Sequence, residues 1–327
     1  MLGYIVRRLG YGLLILVGVN LITFVLFFTV NTPDDMARLN IGGKRASIEQ
    51  IEKWKAERGY NKPLLIDRDA HGLDQITHTV LWERSVSLFL FKFGRADSES
   101  AGDIGEEISQ RMGVSLQFTV PLFVLSLLAS LIFALWLVMF RGTAVDFWGV
   151  VVCVVMMSIS SLFYIIVGQL LFSRVAQLAP ISGYAKGLDA LRFLVLPIGL
   201  MLLSNLAGQA RFYRAIFLEE SGRDYVRTAF AKGLSESRVL TRHVLRNALL
   251  PIITSAGGAL PFLFMGGLVT ESFFGLPGIG AYTIDAISGQ DFAVVRTMVF
   301  LGSVLYIVSN ILIDVAYTWA DPRVRLQ

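Results

Sequence analysis

Charge-free stretches of apolar residues dominate the chain and set its class. A helix needs about 20 apolar residues to cross a bilayer, and six stretches approach or exceed that length. Because they are continuously apolar, helices are favoured over the alternating strands of a membrane barrel. The pattern therefore predicts an all-α integral membrane protein with six transmembrane helices, at residues 9–33, 112–140, 147–173, 193–210, 247–270 and 297–313.

The first and last stretches carry additional expectations. The first is longer than the apolar part of a signal peptide and no cleavage site follows it, so it is expected to remain as a span. The last stretch is short for a span. It reaches full length if the helix begins near Phe292 and the side chain of Arg296 extends to the membrane interface.

These spans divide the chain into three parts. Residues 1–33 hold the N-terminus and the first helix, residues 34–111 form a polar stretch that we name the outer segment, and residues 112–327 form a five-helix core. The core contains a long polar loop at 211–246, which we name the coupling loop.

Three shorter patterns lie between the spans. Ser47 and Gln50 have the spacing of a capping box, which predicts an amphipathic helix over 46–54. Residues 85–93 are apolar enough to lie on the membrane surface or beneath another element. Residues 271–280 are apolar but interrupted by glycine and proline, which favours an element that dips back onto the outer mouth; a tight extracellular hairpin is the alternative.

Composition and charge agree with a membrane protein and give its orientation. Hydrophobic residues make up 54% of the chain and charged residues 17%. Among the short segments, the side holding the N-terminus carries 13 Lys and Arg residues, and the opposite side carries 4. The positive-inside rule therefore predicts that both termini and the coupling loop are cytoplasmic, and that the outer segment is on the other side.

Catalytic and metal-binding chemistry is not indicated. His71, His78 and His243 have no cysteine or carboxylate partner at ligand spacing, and the single cysteine, Cys153, is expected to be a buried packing residue. Phosphate-binding loops and serine nucleophile motifs are absent from the sequence. We therefore expect no catalytic residue, metal or cofactor in this chain, and the net charge of +4 does not indicate nucleic acid binding.

Ion-coupled transport is not indicated either. Such transporters carry ionisable residues at mid-membrane, whereas the nearest candidates here, Glu271 and Asp314, lie close to the ends of their stretches. A passage through this protein would therefore need energy from another source.

The coupling loop has the pattern of two short helices joined at a glycine. Asp224 suits the start of the first helix, Lys232 its end, and Gly233 the position after it. Ser235 suits the start of the second helix. The spacing places Tyr225, Thr228, Ala229 and Lys232 on one face, which could receive a soluble partner. An amphipathic loop lying on the inner leaflet is the alternative.

Several motifs together resemble the permease subunits of ABC transporters of the oligopeptide/dipeptide/nickel type. In general ABC importers the coupling loop begins with Glu-Ala-Ala, and Arg227-Thr228-Ala229 takes that place here, which is the usual form in this family. Departures at 31–35, 58–63 and 66–95 lie on the outer side and bear on cargo contacts. The matching segments are 4–9, 180–183, 224–234, 242–251, 271–280 and 321–323.

The resemblance implies a non-catalytic permease of a binding-protein-dependent importer in a bacterial inner membrane. Expected partners are a second permease that is related but different, two cytoplasmic ATPases that use ATP and Mg, a soluble or lipid-anchored binding protein, and membrane lipid. The cargo would be a short peptide, with nickel chelates, opines or other small solutes as alternatives. A self-sufficient transporter or channel, in which the loop only anchors the chain to the membrane surface, is the alternative function.

The same resemblance implies roles for individual residues. The contact with the ATPase is expected to involve Tyr225, Thr228, Ala229, Lys232 and Gly233. The outer gate, or the seat of the binding protein, is expected to involve Glu271, Pro277 and Gly278.

Overall fold

The computed structural model of the protein describes residues 2–43, 46–68, 71–98 and 102–320, and these residues fold mainly as helices. Over those ranges the only β-type pairing is one isolated bridge between Arg95 and Asp103. The all-α prediction is therefore confirmed. The motif at 321–323 lies outside the described residues.

Four helices among the described residues are long and apolar enough to cross a membrane individually. They are Gly3–Val30, Ile104–Met139, Gly187–Ser221 and Phe292–Tyr317. Two helix pairs reach the required length only as bent units: Ala144–Met157 with Ser161–Val175, at 86°, and Glu236–Asn247 with Leu249–Met265, at 58°. The fold thus provides four to six spans, and the expected six requires that both bent pairs cross.

The outer segment is a small helical subdomain. Its helices surround a buried cluster that includes Met36, Trp54 and Tyr60. The predicted capping box of Ser47 and Gln50 is formed, and Thr32 and Asp35 form a second one. After α1 (Leu2–Val30), the subdomain contains α2 (Pro33–Ile41), α3 (Ile48–Glu57), α4 (Asp74–Thr77), α5 (Val80–Ser85) and a 3₁₀ turn, Val86–Leu90.

The apolar residues 85–93 pack against the spans. Asn20 of α1 donates a hydrogen bond of 2.8 Å to the carbonyl of Ser85. The ring of Phe89 lies 5.2 Å from that of Phe300. This segment therefore lies against two membrane helices. This matches the predicted placement beneath another element rather than the one on the membrane surface.

The remaining helices form the core. The first group is α6 (Ile104–Met139), α7 (Ala144–Met157), α8 (Ser161–Gly168), which continues as a π turn over Gln169–Val175, and α9 (Ala190–Ser221). The second is α10 (Asp224–Ala231), α11 (Glu236–Val239), a π turn over Leu240–Val244, α12 (Leu245–Asn247), α13 (Leu249–Gly258) and α14 (Leu260–Met265). The last is α15 (Leu268–Phe274), α16 (Ile279–Ser288) and α17 (Phe292–Ala320).

Two of the predicted spans are interrupted. The third is broken between α7 and α8, where the Ser160 hydroxyl accepts a hydrogen bond from the N–H of Phe163 and starts a new helix. The fifth ends at Met265 and not at Thr270, because Gly266 adopts φ +73°, a conformation that stops a helix. The prediction of continuous helices over 147–173 and 247–270 is therefore wrong at these points.

A cluster of buried polar groups attaches the outer segment to the start of α17. The Asp97 carboxylate accepts a hydrogen bond of 2.9 Å from the N–H of Ala293. The Asp291 carboxylate accepts bonds of 3.1 and 3.0 Å from the N–H groups of Asp97 and Ser98. We name these contacts the outer clasp.

The sixth span begins at Phe292, as predicted, but Arg296 does not extend to the interface. Arg296 is only 5% exposed, because the outer segment covers the start of α17. The prediction for this side chain is therefore wrong, since a covering subdomain replaces the membrane interface there.

Candidate functional site: the coupling loop and the outer hairpin

The first helix of the coupling loop, α10, is closed at its end by a glycine. Gly233 has φ +77°. Its N–H bonds the carbonyl of Phe230 at 2.9 Å, and the N–H of Leu234 bonds that of Ala229 at 3.4 Å. This pair of bonds is a Schellman motif, which explains why the chain turns sharply at Gly233.

One face of α10 is part of the protein core. Val226 and Ala229 are buried in a cluster with Tyr213 and Phe217 of α9 and with Ala134 of α6. Ala229 therefore faces the chain's own core, and the expectation that it contacts an ATPase is corrected. Because α10 is packed on two long helices, a force applied to it acts directly on them.

The opposite face of α10 is exposed and combines an aromatic ring with charges. Phe230 is 47% exposed. Arg227, Thr228, Lys232 and Gly233 are exposed beside it. Three of the predicted contact residues therefore share an accessible surface, and Phe230 and Arg227 are additions that the sequence reasoning missed. The sequence holds no clear signal for Phe230, because it lies four residues from the buried Val226, which is the spacing of a shared helical face.

Tyr225 lies at the edge of this surface. It is half-buried, and its hydroxyl donates a hydrogen bond of 2.6 Å to the Glu220 carboxylate. Burial, together with this bond, raises the pKa of Tyr225 to about 12. Tyr225 therefore stays neutral and fastens α10 to the end of α9.

The second helix of the coupling loop starts where it was predicted. Ser235 occupies the N-cap position of α11, but its side chain makes no capping hydrogen bond. The helix continues through the π turn, and Val239, Leu240 and Val244 are buried in the same cluster as α10. Both helices are thus held on one core.

On the predicted outer side, α15 and α16 form a helical hairpin (residues 268–288) that we name the outer hairpin. Glu271 is fully buried at 0% exposure. Its carboxylate accepts hydrogen bonds from the N–H groups of Gly267, Gly280 and Ala281, at 3.1, 2.7 and 3.2 Å. The N–H of Ile279 bonds the Ser115 hydroxyl of α6 at 2.8 Å, so the hairpin is fastened to that span.

Glycines make room for this carboxylate. A Cβ atom at Gly266 or Gly278 would lie 2.3 Å from an oxygen of Glu271, and one at Gly280 would lie 2.9 Å away. The glycines of this motif are therefore required by close packing. Glu271 and Gly278 are buried and present no surface to a binding protein, whereas Pro277 is exposed at the turn. The alternative role of these residues at the outer gate stays a prediction.

The outer hairpin is also bound to the loop before α9. The N–H of Gly183 donates to the carbonyl of Phe274 at 2.8 Å. The Gln169 amide donates to the carbonyls of Ile181 and Phe273, at 3.0 and 3.2 Å. Two motifs that are far apart in the sequence, 180–183 and 271–280, therefore meet on one side of the molecule.

Neither region has the groups of a reaction centre. Within the described ranges, no group of three or more His, Cys, Asp and Glu side chains could hold a metal ion. Cys153 is buried. What the geometry offers is an exposed helix on a rigid support at one end and a packed hairpin at the other.

Comparison with known proteins identifies the family of this chain. Residues 119–326 match the binding-protein-dependent transport system inner membrane component, and residues 1–78 match its N-terminal companion. A putative peptide transport system permease of Brucella abortus is 33% identical over 99% of both chains. A di/tripeptide transport system permease of Pseudomonas aeruginosa is 31% identical over 100% of both chains.

A dipeptide transport system permease of Escherichia coli is 28% identical over 99% of both chains. Both the matched segments and the relatives extend over nearly the whole sequence. The chain is a multi-pass membrane protein that belongs to the binding-protein-dependent transport system inner membrane components, as an ABC transporter permease of the peptide/dipeptide family.

Proposed function

We propose that this chain forms half of the membrane passage of an ATP-driven importer for short peptides. In this proposal a second, related permease supplies the other half. Two cytoplasmic ATPases drive the cycle, and a binding protein delivers cargo to the outer side. The chain itself is non-catalytic, with ATP and Mg bound by the partner subunits.

The observation that carries the proposal is the two-sided character of α10. Its buried face is continuous with the core of α6 and α9, and its exposed face presents Phe230 beside Arg227 and Lys232. An exposed aromatic ring on a rigid support is typical of an anchor residue that enters a partner's pocket. An ATPase that grips this face would move the spans through the core.

Short peptides are the proposed cargo because the relatives in the comparison are named as peptide, di/tripeptide and dipeptide permeases. The few ionisable groups inside the spans also favour an external source of energy over ion coupling.

The docking role is tested by comparing Gly233→Arg with Gly233→Ala. Both variants place a side chain at φ +77° and share a backbone strain of about 1–2 kcal/mol. A Cβ at this position meets nothing within 4 Å, so only the arginine adds bulk to the docking face. We expect Gly233→Ala to retain ATPase subunits on an affinity-tagged chain, and Gly233→Arg to lose them and ATP-dependent uptake of a labelled dipeptide.

The self-sufficient transporter makes the opposite prediction. It would move the dipeptide into vesicles at the normal rate without ATP, and Gly233→Arg would transport like the parent protein. Either result would overturn the proposed function.

A further inference from the structure

The break between α7 and α8 lies at membrane depth. It occupies residues 158–160, in the middle of the charge-free stretch 147–173, and the two helices meet there at 86°. Whether the pair crosses the bilayer or turns back within it, the break is surrounded by apolar chain on both sides. Irregular backbone at this depth is tolerated only when it is covered by protein or lines a water-filled cavity.

The chain does not cover this break with its own core. Ser158, Ser160 and Ser161 are all exposed. Part of the backbone near the break is satisfied locally: the N–H of Ser158 bonds the carbonyl of Val154 at 3.1 Å, and the N–H groups of Phe163 and Tyr164 bond the carbonyl of Ser160 at 3.0 and 3.3 Å. The Ser160 hydroxyl also accepts from the N–H of Phe163, and the Tyr164 hydroxyl donates to the carbonyl of Met156. The last carbonyls of one helix and the first N–H groups of the next have no partner within their own helices, and in lipid each group left unsatisfied costs several kcal/mol.

The helices on the two sides of the break, α7 and α8, are both fixed to the bundle. The break is therefore a defined feature of the fold. At the inner end, Arg214 of α9 holds the Asp146 carboxylate through two hydrogen bonds of 2.9 and 2.8 Å. At the outer end, the Gln169 amide bonds the carbonyls of Ile181 and Phe273. At the same end, a Cβ at Gly168 would lie 2.3 Å from Leu200, so the last turn of α8 lies directly on α9.

The geometry points to the segment 158–161, which we name the elbow, as part of the wall of the water-filled passage and a contact for the main chain of a passing peptide. Its hydroxyls and helix-end backbone groups can donate and accept hydrogen bonds with any peptide unit, whatever the side chains. Met157 and Phe163 are exposed beside the elbow and offer adaptable apolar contacts for those side chains. This inference rests on the proposed function for the identity of the cargo.

The contacts that hold α7 also connect the elbow to the helix that we propose drives transport. Arg214 lies on α9, one turn from Phe217, which packs against α10. The elbow is therefore linked through the Asp146–Arg214 pair to the helix that we propose the ATPase moves. If the elbow moves together with α10, it can be open first to one side of the membrane and then to the other during each cycle.

The test is cysteine reactivity in the complete transporter, in intact cells. Cys153→Ser removes the native thiol, and Ser161→Cys then places one thiol at the elbow. The matched control is Leu14→Cys, an exposed position in the apolar middle of α1. Because only the thiolate reacts and it forms in water, we expect a charged methanethiosulfonate reagent to modify Ser161→Cys and to leave Leu14→Cys unmodified.

Two further measurements connect the elbow to transport. Modification of Ser161→Cys should block uptake of radiolabelled alanyl-phenylalanine, and an excess of unlabelled dipeptide should slow the modification. We expect the protection to be lost when the ATPases are inhibited, since the elbow would then remain in one state.

Each possible result either supports or overturns the placement of the elbow in the wall of the passage. A thiol at Ser161 that never reacts, with cycling or inhibited ATPases, would mean that lipid or a partner helix covers the elbow, and would overturn the inference. So would a thiol that reacts with no effect on uptake and no protection. If the unmodified parent takes up no dipeptide, or does so without ATP, it is the proposed function that fails, and the reactivity of Ser161 relative to Leu14 still decides whether the elbow faces water.

Discussion

At the scale of single residues, the outer hairpin depends on a buried carboxylate in a space that only glycine leaves open. Glu271 accepts hydrogen bonds from three backbone N–H groups. A buried acceptor left without partners would cost about 1–3 kcal/mol, and these bonds remove that cost. The surrounding glycines are what allow the backbone to approach so closely.

Gly280→Ala is expected to destabilise the protein by about 1–3 kcal/mol, the usual effect of overpacking a tight core. The added Cβ would lie 2.8 Å from backbone atoms of Gly267 and Leu268, which cannot move aside cheaply. The control is Gly258→Ala, where a Cβ meets nothing within 4 Å. Thermal unfolding of the purified protein should show a lower midpoint for Gly280→Ala only. Equal midpoints for the two variants would contradict the requirement for glycine beside Glu271.

Asp97 in the outer clasp gives a prediction about pH. Burial, and then the nearby charge of Asp291, raise the pKa of the Asp97 carboxyl above its ordinary value. A raised pKa in the folded state means that folding favours the protonated form, so this group's contribution to stability is present at low pH and lost as pH rises through the folded pKa. Asp97→Asn removes the titration and keeps a hydrogen-bond acceptor.

We therefore expect the stability of the parent protein to fall more steeply than that of Asp97→Asn as pH rises from about 4 towards neutrality. Unfolding midpoints measured at several pH values would check this. Parallel curves for the two proteins would show that the Asp97 carboxyl does not titrate in the way its burial requires.

At the scale of elements, the bent pair α7–α8 is held at the start of α7 by one ion pair. The Arg214 and Asp146 side chains are 19% and 10% exposed and 2.7 Å apart at their closest. Asp146 also accepts a hydrogen bond from the N–H of Gly142, so its loss would affect both the turn before α7 and the contact with α9.

Arg214→Ala is expected to destabilise the protein by about 3–5 kcal/mol, because it leaves a largely buried carboxylate without its partner. The nearby control is Arg223→Ala, which removes an exposed guanidinium paired with Glu219 and Glu220 and should change stability by less than about 1 kcal/mol. The double exchange Asp146→Arg with Arg214→Asp should recover part of the loss. Equal unfolding midpoints for the two single variants would contradict the anchoring role of Arg214.

Element types were predictable from the sequence, and the breaks within them were not. The apolar runs gave the helices of the spans, and the polar periodicity gave α3, α10 and the start of the second loop helix. A serine at 160 can continue a helix or begin one, and nothing in an apolar run distinguishes the two. Gly266 is evident in the sequence, but its close approach to Glu271 involves a residue further along the chain that only the fold brings near.

The same limit explains the site residues that changed role. A glutamate beside glycines is compatible with an exposed contact or with a buried acceptor, and only the fold brings the N–H groups of 267, 280 and 281 to one point. Ala229 was assigned to the wrong side of α10, because four residues at helical spacing define a face without showing which way it points.

At the scale of the whole molecule, the number of membrane crossings determines which regions share a side of the membrane. If both bent pairs cross, the outer segment and the outer hairpin lie on the same side and the coupling loop on the other. Exposed positions are available in each region: Ile48 in α3, Ser237 in α11 and Ser272 in α15.

Single cysteines at these positions, in a Cys153→Ser background, give a direct test in cells. A membrane-impermeant maleimide that reaches the periplasm is expected to label Ile48→Cys and Ser272→Cys in intact cells, and Ser237→Cys only after the inner membrane is opened. Labelling of Ser237→Cys in intact cells would show that the first bent pair turns back, which would rule out six spans.

The outer clasp has a consequence for how such permeases diversify. The two aspartates hold main-chain N–H groups at positions 97, 98 and 293, and every amino acid except proline supplies such a group. Tyr60 also donates to Asp97, and Phe89 packs on Phe300, so the attachment depends on buried side chains of the subdomain and leaves its exposed ones unconstrained. Substitutions confined to that exposed surface are therefore expected to alter what the protein meets outside without rebuilding the bundle beneath.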